Sequence, residues 1–570
     1  MIQKDLLEKK QQSKIIKQPQ LIDLVKYQQK EIVDKDLFKF KQLLDQRNYE
    51  EALMEIEEIM KQNQLLKDEK KNDDELLMHK SNILLRLDKY KESLECVNQA
   101  LALNPENKEL YYLQGITLVK LNKFSEAFQS FIHTSHQNQE SYIYLGIALE
   151  SMGGYTGAYN FYEEAQKYGE NSQLLNILKA QALTGSRKYV QAVELCDKTI
   201  QNTDLDKFAY SVKARALQMS LRYEEAIEVC DKLIQMDENY AIPYEIKGKI
   251  LSVLNRPEEA IEQCLKAIEL DQNNYLTLAT ISGVLNQLKR YEEAIEFSDK
   301  SLQINPGDIA LGNKGLALYN LNRLEQAVQC FDLALQITNN HPLINLHMGT
   351  TLFELGRVKE SLEYFDMAIK NNPISINAYL RKGMALFTLE RYQEAIDTFD
   401  LLISKQPNND QAFFQKGRSL YNQDRFEEAL LALNQALKLN PDVFLIWNIA
   451  GETLMALNKF DEALQCFYRS NKLNPQDEVA MALIGIALES MNKDDDAKHW
   501  FTEAIKVNPK SHVALIYLAK TLLKTGDHEE AFYAAKRAVF LQPQNQQYQE
   551  IYVKAVFMYE LSKKSKEQKE

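Results

Sequence analysis

Proline recurs at a fixed interval through the second half of this 570-residue chain. Six prolines are each numbered 34 higher than the one before: Pro373, Pro407, Pro441, Pro475, Pro509 and Pro543. We call this interval the repeat step. Alanines and glycines keep the same step, among them Ala395, Ala429 and Ala463, and Gly349, Gly383, Gly417 and Gly451. One period shared by three residue types predicts a tandem repeat, in which neighbouring units supply each other's core.

The alanine position can be followed through fifteen repeats, from Ala52 to Ala531, with serine at 93 and 361. Eleven of the fourteen spacings equal the repeat step. The three exceptions predict a charged surface-loop insertion near 67–73, an irregularity near 133–140 and a one-residue deletion around 306–307. We interpret the irregularity near 133–140 as a kink or hinge candidate.

The repeat at 447–475 shows the physical basis of the pattern. Its apolar residues recur at helical spacing on both sides of a short break. We expect Asn458 to leave the first helix, Asp461 to open the second, and Pro475 to end it, since proline lacks an N–H group. Gly451 and Ala463 are the small residues at which the two helices approach each other. Each repeat is therefore a helical hairpin.

These residues resemble the tetratricopeptide repeat, with a central glycine, an aromatic-x-x-alanine turn and a closing proline. The resemblance implies an all-α fold, a right-handed superhelical solenoid of stacked antiparallel helix pairs. We expect a basic N-terminal extension at 1–33, either partly disordered or a docking arm, and the array at 34–545, with Phe40 marking a divergent first repeat. A capping helix follows at 546–562, with Tyr548, Val553, Val556 and Phe557 as its apolar residues, and then a disordered tail at 563–570.

Composition narrows the class of protein further. The net charge of −13 argues against a general nucleic-acid binder. There is neither a signal-peptide pattern nor a run of 18 apolar residues, so we expect no membrane span and no secretion. The expected location is the cytoplasm, with the nucleus or a cilium also open.

Residues that suggest chemistry are better explained by the repeat. Paired carboxylates such as Glu258-Glu259 recur where second helices begin, and there the positive end of the helix dipole stabilises their negative charge. Cys196, Cys230 and Cys264 are one repeat step apart, too far apart in stacked helices for a disulfide or a zinc site, and we expect all six cysteines to face the core. His133 and His136 lack further ligands. We expect no catalytic residue, no metal and no cofactor.

A partner-binding groove is implied by the resemblance, because first helices line the inner wall in this family. One inward position is mostly aromatic in the C-terminal half, whereas its equivalents Thr184, Gln218, Ser252 and Asn286 are polar. Aromatic residues suit binding of an extended or helical segment with apolar anchors, and arginines there suit acidic partner residues; the alternative is that the aromatics pack against the next helix. The candidates are Leu316, Tyr319, Leu346, Phe353, Leu380, Arg381, Met384, Phe387, Phe414, Arg418, Tyr421 and Met455.

The resulting hypothesis is a non-catalytic scaffold or adaptor in a multiprotein assembly. The array is similar to those of ubiquitin-ligase assembly subunits and of ciliary or vesicle cargo adaptors. The alternative is a substrate-binding arm or co-chaperone-type adaptor that serves a separate enzyme or chaperone. Against it, Met78 and Leu113 replace polar residues of the chaperone peptide clamp, and no asparagine ladder like that of the glycosylating transferases is present. The oligomeric state is left open.

Overall fold

The computed structural model describes residues 38–66, 73–134, 139–169, 173–202 and 207–567. These ranges contain 31 α-helices and no strand. The helices alternate as first and second members of antiparallel pairs, each joined by a short turn. The all-α array of tandem helix pairs predicted from the repeat step is thereby confirmed.

The first helices of the fifteen pairs are α1 (Phe38–Asp45), α3 (Asp73–Arg86), α5 (Lys108–Lys120), α7 (Gln139–Ser151), α9 (Gln173–Gly185), α11 (Lys207–Met219), α13 (Ala241–Val253), α15 (Tyr275–Gln287), α17 (Asp308–Asn320), α19 (Pro342–Glu354), α21 (Ile376–Thr388), α23 (Asp410–Tyr421), α25 (Phe444–Ala456), α27 (Glu478–Ser490) and α29 (His512–Thr525).

The second helices are α2 (Tyr49–Leu66), α4 (Tyr90–Leu103), α6 (Phe124–Ile132), α8 (Tyr155–Lys167), α10 (Tyr189–Asn202), α12 (Tyr223–Met236), α14 (Pro257–Leu270), α16 (Tyr291–Ile304), α18 (Leu324–Ile337), α20 (Val358–Asn371), α22 (Tyr392–Lys405), α24 (Phe426–Leu439), α26 (Phe460–Leu473), α28 (Asp494–Val507) and α30 (His528–Leu541); a last helix, α31 (Gln546–Glu567), follows them.

The turn inside each pair depends on one residue in the left-handed region. Asn458 has a φ of 58°. Its N–H donates to the carbonyl of Met455 at 2.9 Å, and the N–H of Lys459 donates to the carbonyl of Leu454 at 2.8 Å. These bonds satisfy carbonyls that the end of α25 leaves unpaired. The predicted exit at Asn458 is confirmed, and the other hairpin turns repeat the arrangement.

Close approach of the two helices explains the periodic small residue. A Cβ built on Gly451 would lie 2.3 Å from Cε1 of Phe467, a ring that is fully buried. Gly485 and Phe501 repeat this contact at 2.5 Å one repeat later. Ala463, on the second helix of the same pair, is also fully buried. The small residues that recur at the repeat step are therefore those at which the two helices of a pair pack against each other.

Charged side chains support the start of many second helices. Arg391, at the turn, donates from Nη2 to Glu394 at 2.6 Å, and Arg425 pairs with Glu428 in the same way. The predicted carboxylate pairs do lie in the first turns of second helices, as with Glu427 and Glu428 in α24. There the positive end of the helix dipole stabilises their negative charge. Their recurrence is structural.

The chain divides into two compact units. The first unit, up to Ile337, contains helices α1–α18 as nine pairs. The second, from Thr338, contains α19–α30 as six pairs and the single helix α31. Within each unit a helix packs against the next one, and the first helices of most neighbouring pairs also touch.

Part of the predicted domain organisation falls outside the described residues. The extension at 1–33, most of the loop near 67–73 and the centre of the irregularity near 133–140 belong to that part. Helix α6 ends at Ile132 after nine residues, against fourteen in α4. The hinge interpretation stays a prediction.

The C-terminal region differs from expectation in two respects. Helix α31 continues to Glu567, five residues past the predicted limit, because its lysine- and glutamate-rich end has good helix propensity and neither glycine nor proline. The face that packs on the array is also different, since Val553 and Phe557 are exposed. The ring of Phe532 instead stacks on those of Tyr552 and Tyr559, with centroids 5.9 and 5.1 Å away.

Candidate functional site

The candidate partner surface consists of residues on four first helices of the second unit, α19, α21, α23 and α25. Neighbouring members of this set touch each other. The residues occupy equivalent repeat positions: Phe353, Phe387, Tyr421 and Met455 follow each other at the repeat step. Each therefore stands near the C-terminal end of its helix. Equivalent positions on touching helices form a row of side chains, which we call the aromatic row.

The residues of the aromatic row are half-buried. Phe353 and Phe387 pack on the core around Phe365 and Phe399, and Met455 packs on the core around Phe467. The Phe387 ring also meets Tyr392, the first residue of α22, at 5.4 Å between centroids. One edge of each side chain thus supports the fold and the other remains accessible. Packing therefore accounts for one edge of these side chains, and binding through the other edge stays a prediction.

Leu346 is the exception among the candidates of this unit. Its side chain is only 8% exposed and belongs to the core around Phe365. Leu346 lies nearer the start of α19 than Phe353 does, and at that point α20 and α21 cover it. The prediction that Leu346 lines the groove is therefore wrong. Leu380 and Phe414, its equivalents in the next two repeats, are half-buried.

Arg418 joins two candidate aromatics. Its guanidinium carbon lies 4.6 Å from the ring centroid of Phe387, on α21, and 5.8 Å from that of Phe414, on its own helix. Nη1 donates to Oε1 of Gln415 at 3.1 Å. Among the described residues no carboxylate forms a salt bridge with it. Burial lowers the pKa of Arg418, although arginine stays charged at any physiological pH. The surface therefore holds an oriented cation with unused donors.

Glu452 is a residue that the sequence interpretation missed. It follows Met384 and Arg418 at the same repeat position, on α25, and is half-buried. Burial raises the pKa of its carboxyl group. Burial also raises the pKa of Tyr421, and the charge of Glu452 adds to that effect. Advancing one repeat step from Arg418 would have found it. The surface thus presents a cation and, one repeat later, an acid.

Arg381 and His347 occupy a second shared position on α21 and α19. Arg381 is half-buried. Burial lowers the pKa of His347 to about 4, with a further contribution from His341, so the imidazole is neutral near pH 7. Of these two residues, only Arg381 carries a positive charge at neutral pH.

Leu316 and Tyr319 lie on α17 in the first unit, apart from the other candidates. Both are half-buried. In the same unit, Asn286, an equivalent of Tyr319, is buried and donates to the carbonyl of Asn313 at 2.8 Å. The polar residues of this half thus include some that serve the packing of neighbouring helices.

Groups suited to metal binding or catalysis do not converge in the described ranges. No cluster of three or more His, Cys, Asp or Glu side chains that could hold a metal is found there. All six cysteines are free; five are buried as expected, whereas Cys466, which packs against the margins of two core clusters, is only half-buried. His133 is exposed and contacts Tyr111, while His136 lies outside the described residues.

Two further findings concern membranes and the chaperone clamp. No helix in the ranges covered by the structure has the length and apolar content needed to cross a bilayer. Met78 and Leu113 are 3% and 1% exposed, so both face the core. Neither could contact the carboxylate of a bound peptide.

The fold and this surface define a repeat protein built from stacked helical hairpins, of the class that holds other proteins. Comparison with family models specifies the class. Tetratricopeptide-repeat models match residues 80–131, 346–410, 414–478 and 483–546, and a second model of that repeat matches 243–274, 277–308 and 310–341. Together they cover more than half of the chain. The chain belongs to the tetratricopeptide-repeat family, and protein partners are the expectation for such a repeat.

Solved structures show similar arrays. The Cut9–Hcn1 hetero-tetramer structure from the APC/C matches 86% of this chain and 97% of its own, with 14% identity and a TM-score of 0.48. A tetratricopeptide-repeat protein from Parabacteroides merdae covers 44% and 98% (15% identity, TM-score 0.38), and MamA covers 30% and 92% (19% identity, TM-score 0.28). No match was found among curated proteins.

Proposed function

We propose that this protein is a non-catalytic scaffold that holds a segment of a partner protein along α19, α21, α23 and α25. The segment is extended or helical and places apolar anchors on the aromatic row. An acidic residue of the segment pairs with Arg418, and Arg381 provides a second cation one repeat earlier. The assembly would be of the ubiquitin-ligase or cargo-adaptor kind.

The observation that carries this proposal is the state of Arg418. Its guanidinium is half-buried and oriented by the rings of Phe387 and Phe414, yet its one hydrogen bond to described residues goes to the neutral Gln415. A desolvated cation gains most from a carboxylate, and arginine binds one through two parallel hydrogen bonds. Arginine is also enriched where binding energy concentrates in interfaces. Ligand binding explains why a charge is kept there.

A peptide-display selection against the purified protein tests the proposal. We expect selected sequences to combine Asp or Glu with neighbouring aromatic or aliphatic anchors. Arg418→Met keeps the apolar stem but removes the charge, and should weaken the best peptide by roughly tenfold or more. Arg391→Met is the matched control, because Arg391 lies at a turn of the same unit and is already paired with Glu394.

The aromatic row is tested by replacing Phe353, Phe387 and Tyr421 with leucine, which preserves much of the packing. Binding should fall, while the control set, Leu401, Leu431 and Tyr468 to alanine on exposed parts of second helices, should bind as the parent does. Circular dichroism verifies that each variant is folded. Peptides that bind the Arg418→Met and leucine variants as tightly as the parent would show that the partner site lies elsewhere.

A further inference from the structure

Helix α31 is apolar on two opposite faces. Its inner face, including Tyr552, Ala555 and Tyr559, packs on α29 and α30. On the other side Val553, Phe557 and Leu561 recur every fourth residue, and their side chains are 66%, 61% and 47% exposed. We call these three residues the outer stripe. At about 100° per residue they form one continuous band along the helix.

Val553, the first residue of the outer stripe, occupies a position that a helix covers in earlier repeats. Val553 follows Gly485 by two repeat steps and Ala519 by one. At Gly485 the ring of Phe501 from the second helix of the same pair fills this position, and Ala519 is fully buried. No helix of the described residues covers Val553. The geometry of the array therefore leaves room for one further helix on α31.

The residues around the stripe are complementary to a second copy of the same helix. Glu550 and Lys564 lie seven residues before and after Phe557, two helical turns away, so both stand within about 20° of it on the same face. Both are exposed. An antiparallel copy turned about a two-fold axis at Phe557 places Val553 opposite Leu561, and Glu550 opposite Lys564. The symmetry generates each of these contacts twice.

A parallel arrangement is disfavoured by the same charges. It would set Glu550 against Glu550 and Lys564 against Lys564, so that both ends of the pair repel. The antiparallel register replaces these repulsions by two ion pairs and buries the Phe557 rings together at the centre.

We propose that α31 is a homodimerisation helix, which pairs antiparallel with α31 of a second copy through Val553, Phe557 and Leu561, with Glu550 and Lys564 fixing direction and register. The occupant of this face is thus another molecule of the same protein. The partner surface on α19–α25 is separate from it, so a dimer would display that surface twice.

Sedimentation of the full chain across the micromolar range provides the first test. We expect a concentration-dependent monomer–dimer equilibrium. Phe557→Glu should weaken the dimer about 30-fold or more, as for loss of a central aromatic hot spot. Phe540→Glu is the matched control, since Phe540 is an 83% exposed aromatic on α30 and lies off the stripe. Because both rings are exposed, neither change should reduce helical content.

Charge exchange tests register. Glu550→Lys and Lys564→Glu should each weaken the dimer by roughly threefold to tenfold, because each converts two attractive contacts into repulsive ones. The double variant restores opposite charges and should dimerise like the parent. A parallel dimer would show no such rescue.

Disulfide trapping tests direction. Mixing a Val553→Cys protein with a Leu561→Cys protein should give a cross-linked heterodimer under mild oxidation, in preference to either homodimer. A protein that is monomeric throughout the micromolar range, a dimer that survives Phe557→Glu, or cross-links of Val553→Cys with itself would each overturn the proposal. A dimer that survives Phe557→Glu would have to form through a part of the protein other than the outer stripe.

Discussion

The hydroxyl of Tyr162 donates a 2.9 Å hydrogen bond to the carboxyl group of Glu150, and both side chains are buried between α7 and α8. Burial raises the pKa of Glu150 to about 7, against an ordinary value of 4.5, although hydrogen bonds from Tyr162 and Gln181 favour the charged form. Burial also raises the pKa of Tyr162 well above its usual range. The pair therefore makes local stability depend on pH.

The stability of the α7–α8 pair should fall as the pH rises from about 4.5 to about 7. Over that window the unfolded carboxyl releases its proton while the folded one retains it, so ionisation favours the unfolded state. Glu150→Gln should remove the effect, gaining up to about 3 kcal/mol over the parent above pH 7. Hydrogen exchange of α7 and α8 amides, corrected for intrinsic rates, measures this. With Glu164→Gln, a control on α8 whose half-buried carboxylate pairs with Lys167 at 2.6 Å, the pH dependence should persist; a gain from Glu150→Gln that is constant with pH would contradict the prediction.

Alanine should have opposite effects at two helical glycines. At Gly451 the added Cβ would lie 2.3 Å from the buried Phe467 ring, so Gly451→Ala should destabilise its repeat by about 1–3 kcal/mol. At Gly283 the nearest atom is Nδ2 of Asn313, 3.2 Å away. This amide donates to the carbonyl of Ala279 at 2.8 Å, a hydrogen bond that tolerates the small shift the added Cβ requires. There the gain in helix propensity, about 1 kcal/mol, should dominate. Denaturant unfolding of each variant checks the two signs, and equal effects at both sites would be inconsistent with the packing.

Leu221 occupies a turn position better suited to asparagine. Its φ is 63° and its side chain is 69% exposed, so the left-handed conformation is strained without compensating burial. Leu221→Asn should stabilise the α11–α12 turn by about 0.5–1 kcal/mol. The reciprocal change Asn255→Leu, at the equivalent turn one repeat later, should destabilise it by a similar amount. Thermal unfolding of the two variants makes the comparison, and a loss at Leu221→Asn would refute it.

Cysteine reactivity should follow burial. Burial raises the pKa of Cys230 and Cys264 to about 12, and that of Cys466 to about 11. Because thiolates are the reactive form, native protein at neutral pH should react slowly with thiol reagents, and the half-buried Cys466 should react before the fully buried Cys230 and Cys264. Labelling followed by peptide mass spectrometry measures the order. Rapid labelling of Cys230 or Cys264 before Cys466 would contradict it.

Features of the fold that repeat could be predicted from the sequence, because one physical cause acts many times. Gly451, Asn458 and Ala463 each have counterparts one repeat step away. The close approach of Gly451 to Phe467 and the helix exit at Asn458 therefore recur, and each leaves a periodic pattern in the sequence. Protein family and helix pairing follow from such positions, and both predictions are confirmed.

Features that depend on which neighbour covers a side chain could not be predicted in this way. Leu346 and Leu380 have the same residue type and repeat position, yet one is buried and the other half-buried. In α31 both faces are apolar, so periodicity could not distinguish Tyr552 from Val553 as the packing residue. The position of Arg418 over Phe387 depends on side-chain conformations across two helices, and its role in binding stays a proposal.

The contacts within each unit, from one helix to the next and to the one after it, also determine how far a perturbation can spread. In such a chain each repeat is coupled mainly to its neighbours. Local unfolding therefore spreads over a few repeats and does not unfold the whole array. A partner that bridges α19 to α25 would therefore slow hydrogen exchange there and in the adjoining repeats of the same unit. The centre of that protected zone would locate the bound segment along the sequence, and its extent would set an upper limit on the segment's length.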